Sequence, residues 1–509
     1  MENDMKNIFG TDKRIRLGIW GLGRGSSFIK AAKELNIDIV AGCDFNPLMR
    51  EEFSKNCPDA FVTSDDKEFL AYKDMDAVLI ATFFTGHAEH TIRALEAGFH
   101  VMCEVTGFFT PAEGVRVVEA VEKSGKVYQL LENYPFTKES MYLADLWKKG
   151  FFGDFMYGEF HYLHDCRSLC YGYNMPGCPP VEPGYQAHHW RSWLNFHYYN
   201  THSLGPVMKI TGLRPEKITA FPNAVPLPGY LDDGAMGKAC ASLIQMSNGG
   251  VFRNLTGATT GDNHMGKRLW GTRASAESER NGLYLRIGAG GHTPQVAVEP
   301  QWPELGDLAD SCGHGGGDFW ELYYFAREVL TGEPGPWGIY AACDVTLAGI
   351  MAVRSSLNGG MPVEIPDFRN REIREKYRND DFAQEHFDPA AIFPADCDKT
   401  LAGKFNSIML KLIRNAQILR AAFDGNMIWG ELRDDAARLA VLKSVDNAEK
   451  LLPEFFAARE EAESLMAAYP DSLAAKPLGE MLALQMPELG ASEENLREQL
   501  QKIKEKMTK

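Results

Sequence analysis

The chain has 509 residues, 45% hydrophobic and 24% charged, a globular balance with length for two or three domains. Its 53 Lys and Arg against 69 Asp and Glu leave a formal charge of −16, which argues against nucleic acid or an anionic membrane as partner. No apolar run is long enough to span a bilayer, the N-terminus lacks an apolar signal core, and ten scattered cysteines suggest a reducing, cytoplasmic setting.

Residues 15–20 (Ile-Arg-Leu-Gly-Ile-Trp) form a short apolar strand pattern, followed by Gly21-Leu22-Gly23-Arg24-Gly25 and a helical pattern with Phe28, Ala32 and Leu35 on one face. Strand, glycine turn and helix together support a dinucleotide-binding reading, in which the turn lets the backbone approach a pyrophosphate. Ser26 occupies the third glycine position and is still small. A second strand, 37–43, ends at Asp44, about 20 residues past the loop, where a carboxylate accepts hydrogen bonds from ribose hydroxyls. No basic residue follows at once in Phe45-Asn46-Pro47, so NAD is favoured over NADP.

Further strands are predicted at 77–81, 100–103 and 127–131, with helices at 88–97 and 112–123 closed by Gly98 and Gly125. This alternation builds a doubly wound parallel sheet, whose ligands sit beyond the carboxyl ends of the strands. Asp44, Thr82, Glu104, Glu132 and Asn133 fall on that rim. From Tyr134 the pattern changes to aromatics, histidines and strand-like runs at 156–162, 240–246, 251–255 and 283–287, with Gly315-Gly316-Gly317 before a helix at 319–330. Beyond Pro366 the chain is helical: Phe405, Ile408, Met409, Leu412, Ala416, Leu419 and Phe423 share a face stopped by Asp424-Gly425, and Leu496, Leu500, Ile503 and Met507 mark a last amphipathic helix. The expected fold is α/β: a Rossmann domain over 1–133, an α+β domain with a largely antiparallel sheet over 134–369, and a helical extension over 370–509. The second sheet and the helical tail offer surfaces for a dimer or tetramer.

The glycine loop, Asp44, the Ala81-Thr82 to His87 segment and the strand end at Glu104 resemble the glucose–fructose oxidoreductase / inositol dehydrogenase / MocA (Gfo/Idh/MocA) family across roughly residues 13–366. Dehydrogenases of that family end the fourth strand in Glu-Lys-Pro, the lysine relaying protons, whereas here Glu104-Val105-Thr106 stands. Their Asp-x-x-x-His pair is also altered, because Tyr198 stands four residues before His202. Glu104-Val105 to Gly107, Glu132-Asn133-Tyr134, His164-Asp165-Cys166-Arg167, Trp190-Arg191, Tyr199 to Pro206 and Gly313 to Phe319 are similar to one branch, the NAD-dependent glycoside hydrolases typified by α-N-acetylgalactosaminidases.

That resemblance implies tightly held, recycled NAD and a route of transient C3 oxidation, C2 deprotonation with loss of the C1 substituent, water addition and re-reduction. It assigns acid/base work to His202 and Tyr199, with Tyr134 and His164 as nearby contacts, and substrate contacts to Arg191, Trp190 and Asp165. Gly21, Leu22, Gly23, Arg24, Gly25, Asp44, Thr82, His87, Glu104 and Asn133 would hold the cofactor. The alternatives are an ordinary NAD-dependent sugar dehydrogenase, an enzyme of 3-keto-glycosides, or a non-catalytic sugar- and NAD-binding protein.

Several of these residues also have plainer uses. His202 could cap the helix it opens, Asp318 could be an N-cap, and the tyrosines could be half-buried packing residues. The run His161, His164, Cys166, Cys170, Cys178, His188 and His189 fits no usual zinc spacing, and strand alternation would point His161 and His164 to opposite faces, so no metal is expected.

Overall fold

A computed structural model describes residues 8–164, 166, 194–227, 237–259, 266–279, 282–288, 292–302, 305–384, 399–430, 434–470, 479 and 492–508. Strands β1 (Ile15–Trp20), β2 (Ile37–Cys43), β3 (Phe61–Thr63), β4 (Ala77–Ile80), β5 (His100–Glu104) and β6 (Tyr128–Leu131) make a parallel sheet in the order β3-β2-β1-β4-β5-β6. The order reverses beside β1, which is the switch point where such sheets hold ligands. Every residue of β4 and β6 is buried, as expected of strands covered on both faces. Between the strands run α1 (Leu22–Gly25), α2 (Ile29–Lys33), α3 (Pro47–Asn56), α4 (Asp66–Ala71), α5 (His87–Glu96) and α6 (Pro111–Ser124). Helix α6 starts on a capping box between Thr110 and Glu113 and stops at Gly125 in the left-handed conformation, as its sequence signals predict.

After α7 (Lys138–Lys148), a nine-stranded sheet is built from β7 (Phe155–Leu163), β8 (Pro215–Ala220), β9 (Ala239–Met246), β10 (Val251–Gly257), β11 (Lys267–Gly271), β12 (Ala274–Glu279), β13 (Gly282–Ile287), β14 (Gln295–Val298) and β15 (Val363–Glu364). Its pairings are antiparallel except that of β7 with β10. Strand β9 alternates Cys240, Ser242, Ile244 and Met246 inward with exposed Ala241, Leu243 and Gln245, so only one face of the sheet is packed here. The inward face meets α8 (Thr201–Thr211) and α11 (Ile339–Leu357), preceded by α9 (Gly306–Asp310) and α10 (Gly317–Thr331). Helix α11 is buried along nearly its whole length and carries no polar stripe, which is why helical periodicity does not announce it in the sequence.

The described residues through 164, 194–225 and 238–384 fall in one compact unit, and those from 399 onward fall in another. The first unit therefore runs past the expected boundary at 369. Charge pairs hold the extra segment, which includes α12 (Arg371–Glu375): Arg374 binds Glu122 at 2.7 and 3.0 Å, and Arg354 binds Asp380 at 2.6 Å.

In the second unit α13 (Lys399–Trp429), α14 (Asp435–Ala468) and α15 (Glu493–Thr508) pack together. Helix α13 continues through Asp424-Gly425, contrary to the stop read from the sequence. Asp424 is bound by Arg420 one turn back at 2.7 Å, and Gly425 is buried facing Val441 of α14. Leu496, Leu500, Ile503 and Met507 are the buried face of α15, as expected. Among the described residues no helix is long and apolar enough to cross a membrane.

Candidate active site

Gly21 follows β1 with φ +95°, and a Cβ there would collide with the carbonyl of Ala81 just past β4. That position is closed to residues with side chains by both conformation and space. Gly25 lies against Ile19 so closely that a Cβ would clash, so it does the helix–strand packing that the third glycine of the fingerprint usually does. Beside the turn, the Leu22 N–H donates to Asp44 Oδ2 at 2.7 Å and the Asn46 N–H to Asp44 Oδ1 at 2.8 Å. Burial raises the Asp44 carboxyl, and these two donors work against it. Each oxygen keeps a lone pair for a ribose hydroxyl. Arg50 reaches back and donates to the carbonyls of Asp44 and Phe45 at 2.7 and 2.9 Å, a basic contact at this turn that local sequence order did not suggest.

The remaining cofactor candidates divide into two groups. Thr82 hydrogen-bonds His90 Nδ1 at 2.8 Å, and His90 packs on Trp20 with ring centroids 4.1 Å apart. Asn133 is buried, and its Oδ1 finds no partner among the described residues, an orphaned acceptor at the rim beyond β6. The collision-free cradle at Gly21 and this open acceptor both fit a dinucleotide laid across the strand ends. His87 has a different place: its ring is buried between the carbonyls of Thr106 at 2.8 Å and Thr82 at 3.1 Å, so it braces the two loops from behind, and burial lowers its pKa. Arg24 and Glu104 pair with each other at 2.7 Å, and Arg24 also grips Asp318 with both Nη atoms at 2.8 and 3.0 Å. Burial works against both charges of that last pair. Yet Glu104 and Asp318 hold Arg24 protonated, while His314 and Arg24 bring Asp318 down to about 2.

The second cluster lies where α8 begins. His202, the second residue of that helix, does not cap it. Its Nδ1 meets Glu132 Oε1 at 2.8 Å and Oε2 at 3.0 Å. Glu132 is completely buried and also accepts the Tyr134 N–H at 3.2 Å. The rings of Tyr162, Tyr134 and Tyr199 stand 4.5, 4.8 and 4.9 Å from the imidazole and form an aromatic cage around it. His164, just past β7, stacks on Tyr162 at 6.0 Å. No hydrogen bond within the described residues occupies His202 Nε2. A buried carboxylate accepting Nδ1–H fixes the tautomer that leaves the Nε2 lone pair available as a base.

Tyr162 and Arg50 are not among the expected site residues, and Glu132 is expected only on the rim, with no role assigned to it. Glu132-Asn133-Tyr134 stands out in the sequence as a strand end, but its partner is 70 positions away and no spacing rule connects them. Tyr198, at the altered family position, points elsewhere: it packs on Phe109 at 5.1 Å and its oxygen accepts the Gln384 N–H at 3.3 Å. Asp318 is likewise no N-cap, since Gly316 holds that position and the carboxylate binds Arg24 and His314. His161, on the outer face of β7, approaches Arg253 at 3.3 Å. Arg191, Trp190 and Asp165 lie outside the described residues.

Comparison with known proteins gives two family matches and several relatives that cover about 70% of this chain. Residues 15–132 match the family described as "Oxidoreductase family, NAD-binding Rossmann fold", and residues 297–375 match "Glycosyl hydrolase 109, C-terminal domain". A "Glycosyl hydrolase family 109 protein" of Stenotrophomonas maltophilia is 26% identical over 409 residues, covering 70% of this chain and 89% of the relative. An "Alpha-N-acetylgalactosaminidase" of Shewanella oneidensis is 24% identical over 406 residues, covering 70% of this chain and 85% of that protein. A levoglucosan dehydrogenase solved with NADH and levoglucosan shares the fold with a TM-score of 0.57 and 20% identity, over 70% of this chain and 100% of the other.

Proposed function

We propose that this chain, which joins a Gfo/Idh/MocA-type NAD-binding domain at residues 15–132 to a glycosyl hydrolase 109 C-terminal domain at residues 297–375, is an NAD-dependent glycosidase. The observation that carries the reading is the His202–Glu132 pair at 2.8 Å inside the tyrosine cage, a base built to take a hydroxyl proton away from water. The dinucleotide, when bound, supplies a reversible hydride acceptor for the sugar carbon bearing the C3 hydroxyl. The amides of the Gly21–Gly25 loop would face its pyrophosphate, Asp44 its adenosine ribose, and Thr82, Glu104 and Asn133 its nicotinamide half.

His202 Nε2 takes the C3 hydroxyl proton and returns it when the ketone is reduced again. Tyr199, set edge-on to His202, handles the C2 proton that the neighbouring ketone acidifies. That proton leaves with the aglycone as its new hydroxyl; water then gives a hydroxyl to C1 and a proton to C2, so the net change is hydrolysis. Tyr134 and His164 hold sugar hydroxyls, and Arg191, Trp190 and Asp165 remain proposed substrate contacts. Val105, where the related dehydrogenases carry lysine, cannot relay a proton, which favours His202 for that task.

The test is a panel of nitrophenyl glycosides in D2O, following nitrophenol and NADH together. The name of the Shewanella oneidensis relative makes α-linked N-acetylgalactosaminides the first to try. Nitrophenol without net NADH, with deuterium at C2, is the expected result. Stoichiometric NADH with an intact glycoside would overturn it in favour of a sugar dehydrogenase, the second reading, which the levoglucosan dehydrogenase fold also suits. Turnover of 3-keto-glycosides alone would place the enzyme at the later steps.

A further inference from the structure

Arg24 belongs to the glycine loop, yet its guanidinium is spent on carboxylates. Nε donates to Glu104 at 2.7 Å, and Nη1 and Nη2 donate to the two oxygens of Asp318 at 3.0 and 2.8 Å. A planar fork on one carboxylate is the geometry that fixes position as well as charge. The Arg24 side chain is 14% exposed and that of Asp318 0%, so little water competes for the bond. The Phe28 ring lies under the guanidinium at 4.3 Å.

What this pair ties down is a strap. Asp318 is the second residue of α10, and the loop leading to it carries three successive left-handed residues, His314 at φ 52°, Gly315 at 61° and Gly316 at 91°. Immediately before Asp318, Gly317 sits on Asn133, where a Cβ would come within 2.8 Å of the Asn133 carbonyl oxygen. The 313–317 turn closes on itself, the Gly313 carbonyl accepting the Asp318 N–H at 3.4 Å, and so stands near Arg24 past β1, its partner Glu104 at the end of β5, and Asn133 beyond β6. Those are the strand ends between which a dinucleotide lies in such sheets. Helix α10 behind the loop is anchored by buried Phe319, Trp320 and Leu322, so the glycines, not the helix, are the part able to swing. His314 Nδ1 also binds Asp318 Oδ1 at 3.0 Å, holding a non-glycine residue in a conformation it would otherwise leave.

We propose that the Arg24–Asp318 pair, by holding the Asp318 carboxylate where it binds His314, is a latch that keeps the 313–317 turn closed beside the bound dinucleotide and so retains it between turnovers. This rests on reading the chain as an NAD enzyme. A glycosidase that returns its hydride each cycle gains nothing from cofactor exchange, and a buried charge pair that holds this turn in place suits it. Arg24 and Asp318 are positioning residues here, acting on release through the strap.

The experiment uses the full chain loaded with NAD, diluted into an enzyme that destroys free NAD, with bound NAD followed over time. Asp318→Asn and Arg24→Lys should each speed release by about tenfold or more while changing association little, because broken contacts act mainly on dissociation. The double variant should release no faster than the singles, since both remove one pair. Hydrogen exchange of the wild-type amides 313–317 should slow when NAD is added, a readout that needs no variant to fold. Release from Asp318→Asn as slow as from wild type, or strap amides indifferent to NAD, would overturn the latch and leave the NAD reading standing. Wild-type protein that takes up no NAD would overturn both.

Discussion

Glu132→Gln separates the orienting carboxylate from everything else in the site. The substitution keeps the volume and one carbonyl oxygen but replaces an acceptor that touches His202 Nδ1 at 2.8 and 3.0 Å and the Tyr134 N–H at 3.2 Å. A carboxylate can only accept, so it admits a single neutral tautomer; an amide offers an oxygen and an N–H2, and the N–H2 facing Nδ1 stabilises the tautomer with the proton on Nε2. Comparable swaps in oriented histidine pairs cost about 10²- to 10⁴-fold in rate, or roughly 3–5 kcal/mol of barrier. The fold should suffer less. A charge-assisted bond worth about 1.5–3 kcal/mol is lost, but so is the expense of holding a fully buried carboxylate, and the net change in unfolding free energy should stay below about 2 kcal/mol. With a nitrophenyl glycoside the wild type turns over, kcat should fall by that factor, KM should stay within about threefold, and NAD retention should be unchanged. A variant whose kcat remained within threefold of wild type would refute the assignment of His202 as the oriented base.

Gly21→Ala should weaken both fold and cofactor binding. The left-handed backbone at φ +95° costs about 1–2 kcal/mol for any residue with a Cβ, and the collision with the Ala81 carbonyl adds to it. Calorimetry should show a lowered Tm and equilibrium dialysis a weaker NAD complex; a Tm equal to wild type would be inconsistent with this geometry. Acid stability tests a buried imidazole, His197, and a half-buried one, His90. Burial pushes His90 and His197 down to about 4, below the unfolded value near 6.5, so the unfolded chain takes up protons that the folded chain refuses. Their contribution is intact above about pH 6.5 and falls as pH drops toward 4, by about 2–3 kcal/mol per residue near pH 4.5. Urea unfolding of wild type and His197→Gln at pH 7 and near 4.5 isolates one of them. The gap between the two proteins should narrow on acidification, and a constant gap would show that His197 does not titrate in this way.

The sequence by itself determined the elements whose signals are local. The glycine turn, the acidic residue closing β2, the stops at Gly98 and Gly125 and the stripe Leu496, Leu500, Ile503 and Met507 each depend on neighbours within a few residues, and each stands where the spacing placed it. Where a local signal met a tertiary demand, the tertiary demand won: Asp424-Gly425 reads as a stop, but packing against α14 carries the helix through it. Long-range charge pairing belonged to the tertiary structure alone. Glu132 finds His202 across 70 positions and Arg24 finds Asp318 across 294, and it is these partners that orient a helix-opening histidine and tie an expected cap residue to the glycine loop. The physical reason is that a hydrogen bond's partner is set by which strand ends and helix starts the sheet order brings together. That order comes from burying whole faces of the chain at once, and no short stretch of sequence encodes it.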